Sequence, residues 1–265
     1  MLRALVPFLV FPALALGPTW LGIAGLGAGV DARVVIAAAV AAGLLLQLLL
    51  EQALPYRRDW RAQRRFAPDL AWLGAATVVG ALLDVLAITL LAHAAAALSV
   101  AVGATLWPAG WNVWAQLALA VLIGDFGHYW AHRALHDLPW LWRFHALHHR
   151  PDHLHALNFF RMHPVEIALK TLANVTPLVL LGAPREVIVL WSIVSGVAAG
   201  SVNHANVEAR TGWLDEWLST PSTHRYHHAR APGERGNLGN VTMIYDRLFG
   251  THRPPHGGHV SEVGL

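Results

Sequence analysis

Runs of about twenty apolar residues constrain this chain more than any other feature, because a helix of that length crosses the hydrocarbon core of a bilayer. Residues 34–50 read VVIAAAVAAGLLLQLLL, and segments 4–27, 70–92 and 111–131 are of the same kind. Two further apolar segments, 164–182 and 186–203, are separated only by GAPR, a link short enough to predict a helical hairpin. Composition agrees: 13% of residues are charged, against about 25% in a soluble domain. The predicted fold is all-α, a multi-pass integral membrane bundle of about four full spans plus a helical hairpin. Pro12, Gly17 and Pro18 are expected to bend or break the first segment. Arg3 and the ALA at 13–15 have the look of a signal peptide, but the apolar run continues past that point, so a retained span is expected.

Charge orients the spans. RRDWRAQRR (57–65) places five arginines between the second and third segments, and basic loops stay in the cytoplasm. Alternation then puts the N-terminus, the stretch 133–163 and residues 205–265 on the cytoplasmic side. The 93–110 loop, which has no Lys or Arg, falls outside. Asp84 sits inside the third segment, as a cavity-lining group or a helix-to-helix hydrogen bond. The basic balance is therefore a topology signal, and no nucleic-acid module is visible.

There are no cysteines, which excludes disulfides, thiolate metal sites and a Cys nucleophile. There are seventeen histidines, thirteen of them between His128 and His228. DFGHYWAHRALH carries His128 and His132 at i, i+4, with His136 a turn further on. FHALHH carries His145, His148 and His149, VNHANV carries His204, and HRYHH carries His224, His227 and His228. Helical residues three and four apart share a face, so each set aims its rings at one place. Apart from His136, these are nine imidazoles, too many for one ion and suited to two. All lie on the predicted cytoplasmic side, forming a histidine-rich metal-binding cap.

His93, His252, His256 and His259 have no such partners and read as solvated side chains; His153 and His155, in PDHLHA, are open between the two readings. Imidazole suits zinc, copper, iron and nickel. No H-E-x-x-H or G-x-S-x-G motif is present, so an all-nitrogen centre of two iron ions activating O2 is the better fit. Zinc is an alternative occupant, in a membrane hydrolase or a non-catalytic metal-binding protein. Asp125, one turn before His128, either accepts an N–H from a ligand ring or pairs with Arg133; Asp137 and Glu166 are weaker candidates for the first role. Tyr226 is expected to point away from the metals.

From Leu119 to Thr251 the motifs DFGHYWAHRALH, WRFHALHH, NFFRMHPVE, NHANV, LSTPSTHRYHHA and NVTMIYDRLFGT resemble, in order, those of the fatty acid hydroxylase/sterol desaturase superfamily. That resemblance implies a membrane oxygenase with two iron ions ligated by His128, His132, His145, His148, His149, His204, His224, His227 and His228. It implies supporting roles for Asn158, Arg161 and Asn240, and makes His163 a ligand or a neighbour of one. Where relatives often carry NYG this chain has NLGN at 237–240, so the local turn is expected to differ. The implied reaction is hydroxylation or desaturation of a lipid that enters from the bilayer between the fourth span and the 164–203 hairpin. Electrons would come from a separate partner on the cytoplasmic face. The implied division is a transmembrane region, 1–110, and a catalytic domain, 111–265. The lipid, the donor and the oligomeric state are not written in the motifs.

Overall fold

The computed structural model describes residues 2–60, 66–102, 106–230, 236–255, 260 and 262–265. Arg61, Arg64, Arg65, His256 and His259 lie outside the described residues, as does the side chain of Asp84. The described chain is helical, and among the described residues β-structure is limited to isolated bridges such as Pro55 with Val207.

Helix α1 (Leu2–Gly27) and α2 (Ala32–Ala53) form a hairpin. Gly29 supplies the left-handed turn at φ 74°, and the Asp31 carboxylate accepts from Arg33 N to start α2. Of the two expected outcomes, bend or break, the break does not occur: α1 is one helix with Pro7, Pro12 and Pro18 inside it. Each proline removes one amide donor, and the Thr19 hydroxyl satisfies the Ala15 carbonyl nearby. Helix α3 (Phe66–Val102) follows, then α4 (Val113–Asp137), capped by Asn112 accepting from Ala115 N. Short α5 (Pro139–His149) begins on a proline, which suits a first turn whose amides have no partners.

The expected hairpin is present as α6 (Pro164–Leu180) and α7 (Arg185–Ile193), turned at Gly182 with φ 81°. Helix α7 runs on through a π-helical segment (Val194–Gly200) into α8 (Ser201–His204). Helices α9 (Pro221–His227) and α10 (Ile244–Leu248) complete the chain.

Val6–Gly27, Ala32–Ala53 and Arg185–His204 are each long and apolar enough to cross a membrane. Helix α4 is apolar at its start and carries Asp125, His128, His132, Arg133 and His136 in its second half. It packs on α6 backbone to backbone, since a Cβ at Gly127 would overlap the Ala173 carbonyl, and closely on α7, since one at Gly124 would overlap the Trp191 ring. That contact brings the α6 carboxylate Glu166 and the α4 histidines around the same ring, His145.

Candidate metal centre

Four short elements converge. The last turns of α4 contribute His132 and His136, α5 contributes His145, His148 and His149, α8 ends on His204, and α9 carries His224 and His227, with His228 as its cap. Helix α9 is fixed where it starts by Thr220, whose side chain accepts from Thr223 N while Thr223 returns the bond to Thr220 N.

These rings fall into two groups. His132, His136, His145, His149 and His227 form one, and His148, His204, His224 and His228 form the other. In the first, His145 Nε2 lies 3.0 Å from His132 Nε2, 3.1 Å from His136 Nε2 and 3.1 Å from His149 Nε2. In the second, His204 Nε2 lies 3.1 Å from Nε2 of both His148 and His224, and His228 Nε2 is 3.2 Å from His224 Nε2. The groups adjoin, with His149 and His228 stacked at 4.2 Å between centroids.

Hydrogen bonding sets the tautomers. His132 Nδ1–H donates to the Leu238 carbonyl (2.8 Å), His145 Nδ1–H to Glu166 Oε1 (2.8 Å), His204 Nδ1–H to the Gly200 carbonyl (2.8 Å) and His227 Nδ1–H to the Gly236 carbonyl (2.7 Å). Their Nε2 atoms are then lone pairs. His132 and His145 point two such lone pairs at each other across 3.0 Å, and one lone pair on His145 cannot serve three imidazoles. A cation between them removes the repulsion: nitrogens about 2.1 Å from one ion and at right angles to each other sit about 3.0 Å apart. The residues therefore fit a pair of metal ions with all-nitrogen ligation.

Burial, first, and the neighbouring imidazoles, second, hold His148, His149, His224 and His228 well below the usual histidine pKa. His145 is held down in the same way, by burial and then by the Lys170 ammonium. Neutral rings are what a metal needs.

The structure regroups some of the residues singled out from sequence. His136 lies inside the five-membered group, whereas His128 is buried beside it, its ring edge-on to His132 at 5.5 Å and in neither group. His163 is also in neither; its Nδ1 accepts from Val165 N and caps α6. Asp125 neither holds a ligand ring nor pairs with Arg133. It accepts from the amides of Asn240, Val241 and Thr242 and from the Thr242 hydroxyl. Arg133 pairs with Asp137 instead. Asn240 Nδ2 donates to the Ser195 carbonyl, Asn158 Oδ1 accepts from His155 N, and Arg161 pairs with Asp69. Glu166 is the carboxylate that takes a ligand N–H, and Lys170 Nζ balances it at 2.8 Å.

Sequence reasoning missed the carbonyls that fix three of the rings, and also Asp246. That buried carboxylate accepts from Leu238 N and Gly239 N, both at 2.7 Å, and so shapes the NLGN turn that presents the Leu238 carbonyl to His132. Burial pushes its pKa up, against the amide bonds that pull it down. The turn itself needs a left-handed Asn237, φ 55°. Asp246 stands in the DRLFGT stretch, which marked it as part of a motif and gave no role. Tyr226 points away as expected, into an apolar cluster with Trp60 and Leu154.

An apolar cavity of about 470 Å³ lies among α1, α4 and the π-helical segment, and among the described residues no histidine lines it. Its walls are α1 (Phe11 to Thr19), α4 (Trp114 to Val121) and the π-helical segment (Val194, Ala198, Ala199), with Leu218 and Ser219 just before α9 completing the lining. A separate opening reaches the five-histidine group past Trp142, His149 and Arg230.

A family model described as fatty acid hydroxylase matches residues 117–251. An ornithine lipid hydroxylase of Rhizobium tropici is 36% identical over 224 residues, 82% of this chain and 66% of that protein. An alkylglycerol monooxygenase of Danio rerio is 33% identical over 56% of this chain and 32% of its own length. A methylsterol monooxygenase of Arabidopsis thaliana is 29% identical over 55% of each. The chain thus spans less than two thirds of each of these relatives. No solved structure matches it.

Proposed function

The chain belongs to the fatty acid hydroxylase family, and from that premise we propose that it is a membrane-bound oxygenase that hydroxylates a lipid at two histidine-held iron ions. The observation that carries this reading is the pair of nitrogen groups, five and four imidazoles, with lone pairs converging at 3.0–3.2 Å. In that reading His136 joins the ligands and His128 packs behind them. Iron in those groups supplies O2 activation and the oxidising power to cleave an unactivated C–H bond.

The balance is R–H plus O2, two electrons and two protons giving R–OH and water, so a separate reductant is required. Its docking on the cytoplasmic side is favoured by the Trp142–Arg230 opening, which leads straight to the five-histidine group. The chain's own residues do the rest. Glu166 and the Leu238, Gly236 and Gly200 carbonyls hold the Nδ1 protons, so that each Nε2 faces inward. The apolar cavity receives the hydrocarbon part of the substrate: among its described lining residues the two hydroxyls are already engaged, Thr19 with Ala15 O and Ser219 with Asn203. Entry runs between α4 and the end of the α6–α7 hairpin, with α1 as a third wall.

Lipid extracts of cells with and without the protein, grown under 18-oxygen gas, test the proposal. One lipid class should gain a single labelled oxygen, and a His148→Ala variant should abolish the gain. A product formed equally well without oxygen, on protein holding zinc alone, would establish the hydrolase alternative instead.

A further inference from the structure

Beyond the two histidine groups, a third set of donors is buried about the start of α3: Asp69, His153 and His155, with donor atoms within 4.8 Å of one another. We propose that these three side chains form a separate divalent metal site, of the zinc type, that is structural and does not depend on the reading of the other histidines.

The arrangement has the features such a site needs. All three side chains are buried, Asp69 and His155 fully. Two imidazoles and a carboxylate are an established zinc donor set that leaves a fourth position for water. Asp152 Oδ1 accepts the His153 Nδ1 proton at 2.8 Å, which fixes the tautomer and turns Nε2 into the donor atom. Arg161 Nε holds Asp69 Oδ1 at 2.5 Å, which leaves Oδ2 to face His155 Nε2 at 2.8 Å.

His155 is wholly buried, and a buried imidazole that is to hold a metal must be neutral. Glu51, equally buried, accepts from Ala156 N and Asn206 N through Oε1, while its Oε2 has no partner. Asp69, held by Arg161 and facing His155, is the carboxylate of the cluster. A divalent ion there ties α3 to the segment leaving α5, directly after His148 and His149.

The experiment loads the detergent-purified full chain with zinc, dialyses it against metal-free buffer and counts zinc per chain. His153→Ala and Asp69→Asn should each hold about one equivalent less than the parent. Because the result is a difference, it does not depend on what the other groups bind. Equal zinc in parent and variants, an adventitious ion only, overturns the proposal. If those variants do not fold, the milder His153→Gln variant decides: about one zinc equivalent less than the parent supports the site, and equal zinc overturns it.

Discussion

The two histidine groups are made of the same side chain at the same distances, yet they are held differently. In the five-membered group, three rings are tethered from behind, by the Leu238 and Gly236 carbonyls and by Glu166 with its Lys170 counter-ion, and the group opens beside Trp142. In the four-membered group only His204 has such a tether; Nδ1 of His148 and of His224 is buried with no partner. The difference teaches that the two groups are not equivalent: one is fixed from behind by polar contacts and opens beside Trp142, the other leaves two buried ring nitrogens untethered.

The largest test removes the ring at the centre of the tethered group. His145→Ala should lower turnover by more than about 100-fold and lose metal from the five-membered group. Full metal content in that variant would contradict the geometry. His128→Ala, by contrast, should retain both ions; if it loses as much metal as His136→Ala, the regrouping of α4 is wrong.

Next comes Asp125→Ala, which strips three backbone amides, two of them buried, of their acceptor and should cost about 3 kcal/mol in unfolding free energy. An unfolding midpoint unchanged from the parent would deny Asp125 its role in holding the 240–242 turn.

Glu166→Gln keeps the shape, weakens the hold on His145 and leaves Lys170 uncompensated, so metal affinity should fall by about 10- to 100-fold at the tethered group alone. Equal weakening of both groups would erase the contrast. Ala199→Leu, on the wall of the apolar cavity, is the complementary change. It should raise the KM for the lipid severalfold with metal content unchanged, and a KM that stays put would move the substrate elsewhere.

The smallest effect is that of pH on the metal-free protein. The folded rings of His145, His148, His149, His224 and His228 stay neutral far below the usual range, whereas unfolded histidines take up protons near pH 6.5. The unfolded state therefore binds more protons in acid, and stability should fall as pH drops below about 6.5. Thermal scans showing equal or higher Tm at about pH 5.5 than at about pH 7.5 would contradict the burial of these rings.

Much of the site was legible because spacing on a helix is a local property. The two H-x-x-H-H triads, His204 and the helical class follow from periodicity and composition. The choice between His128 and His136 was not legible: each stands four residues from His132 on the same face of α4, so both pairs satisfy the same rule. What decides is that α5 and α9 approach the last turn of α4, a fact about packing. Asp125 shows the same limit. Its place one turn before His128 was readable, but its partners lie more than a hundred residues away in the 240–242 turn.

The sequence by itself determined that the chain is helical and membrane-compatible, and that its histidines gather into helical sets facing one way, because hydrophobic run length and i, i+4 spacing need no long-range contact. Only the tertiary structure decided how those sets divide into two groups, which carbonyls and carboxylates orient the rings, and that Asp69 meets His153 and His155. Those pairings join segments whose separation in sequence carries no information about their separation in space.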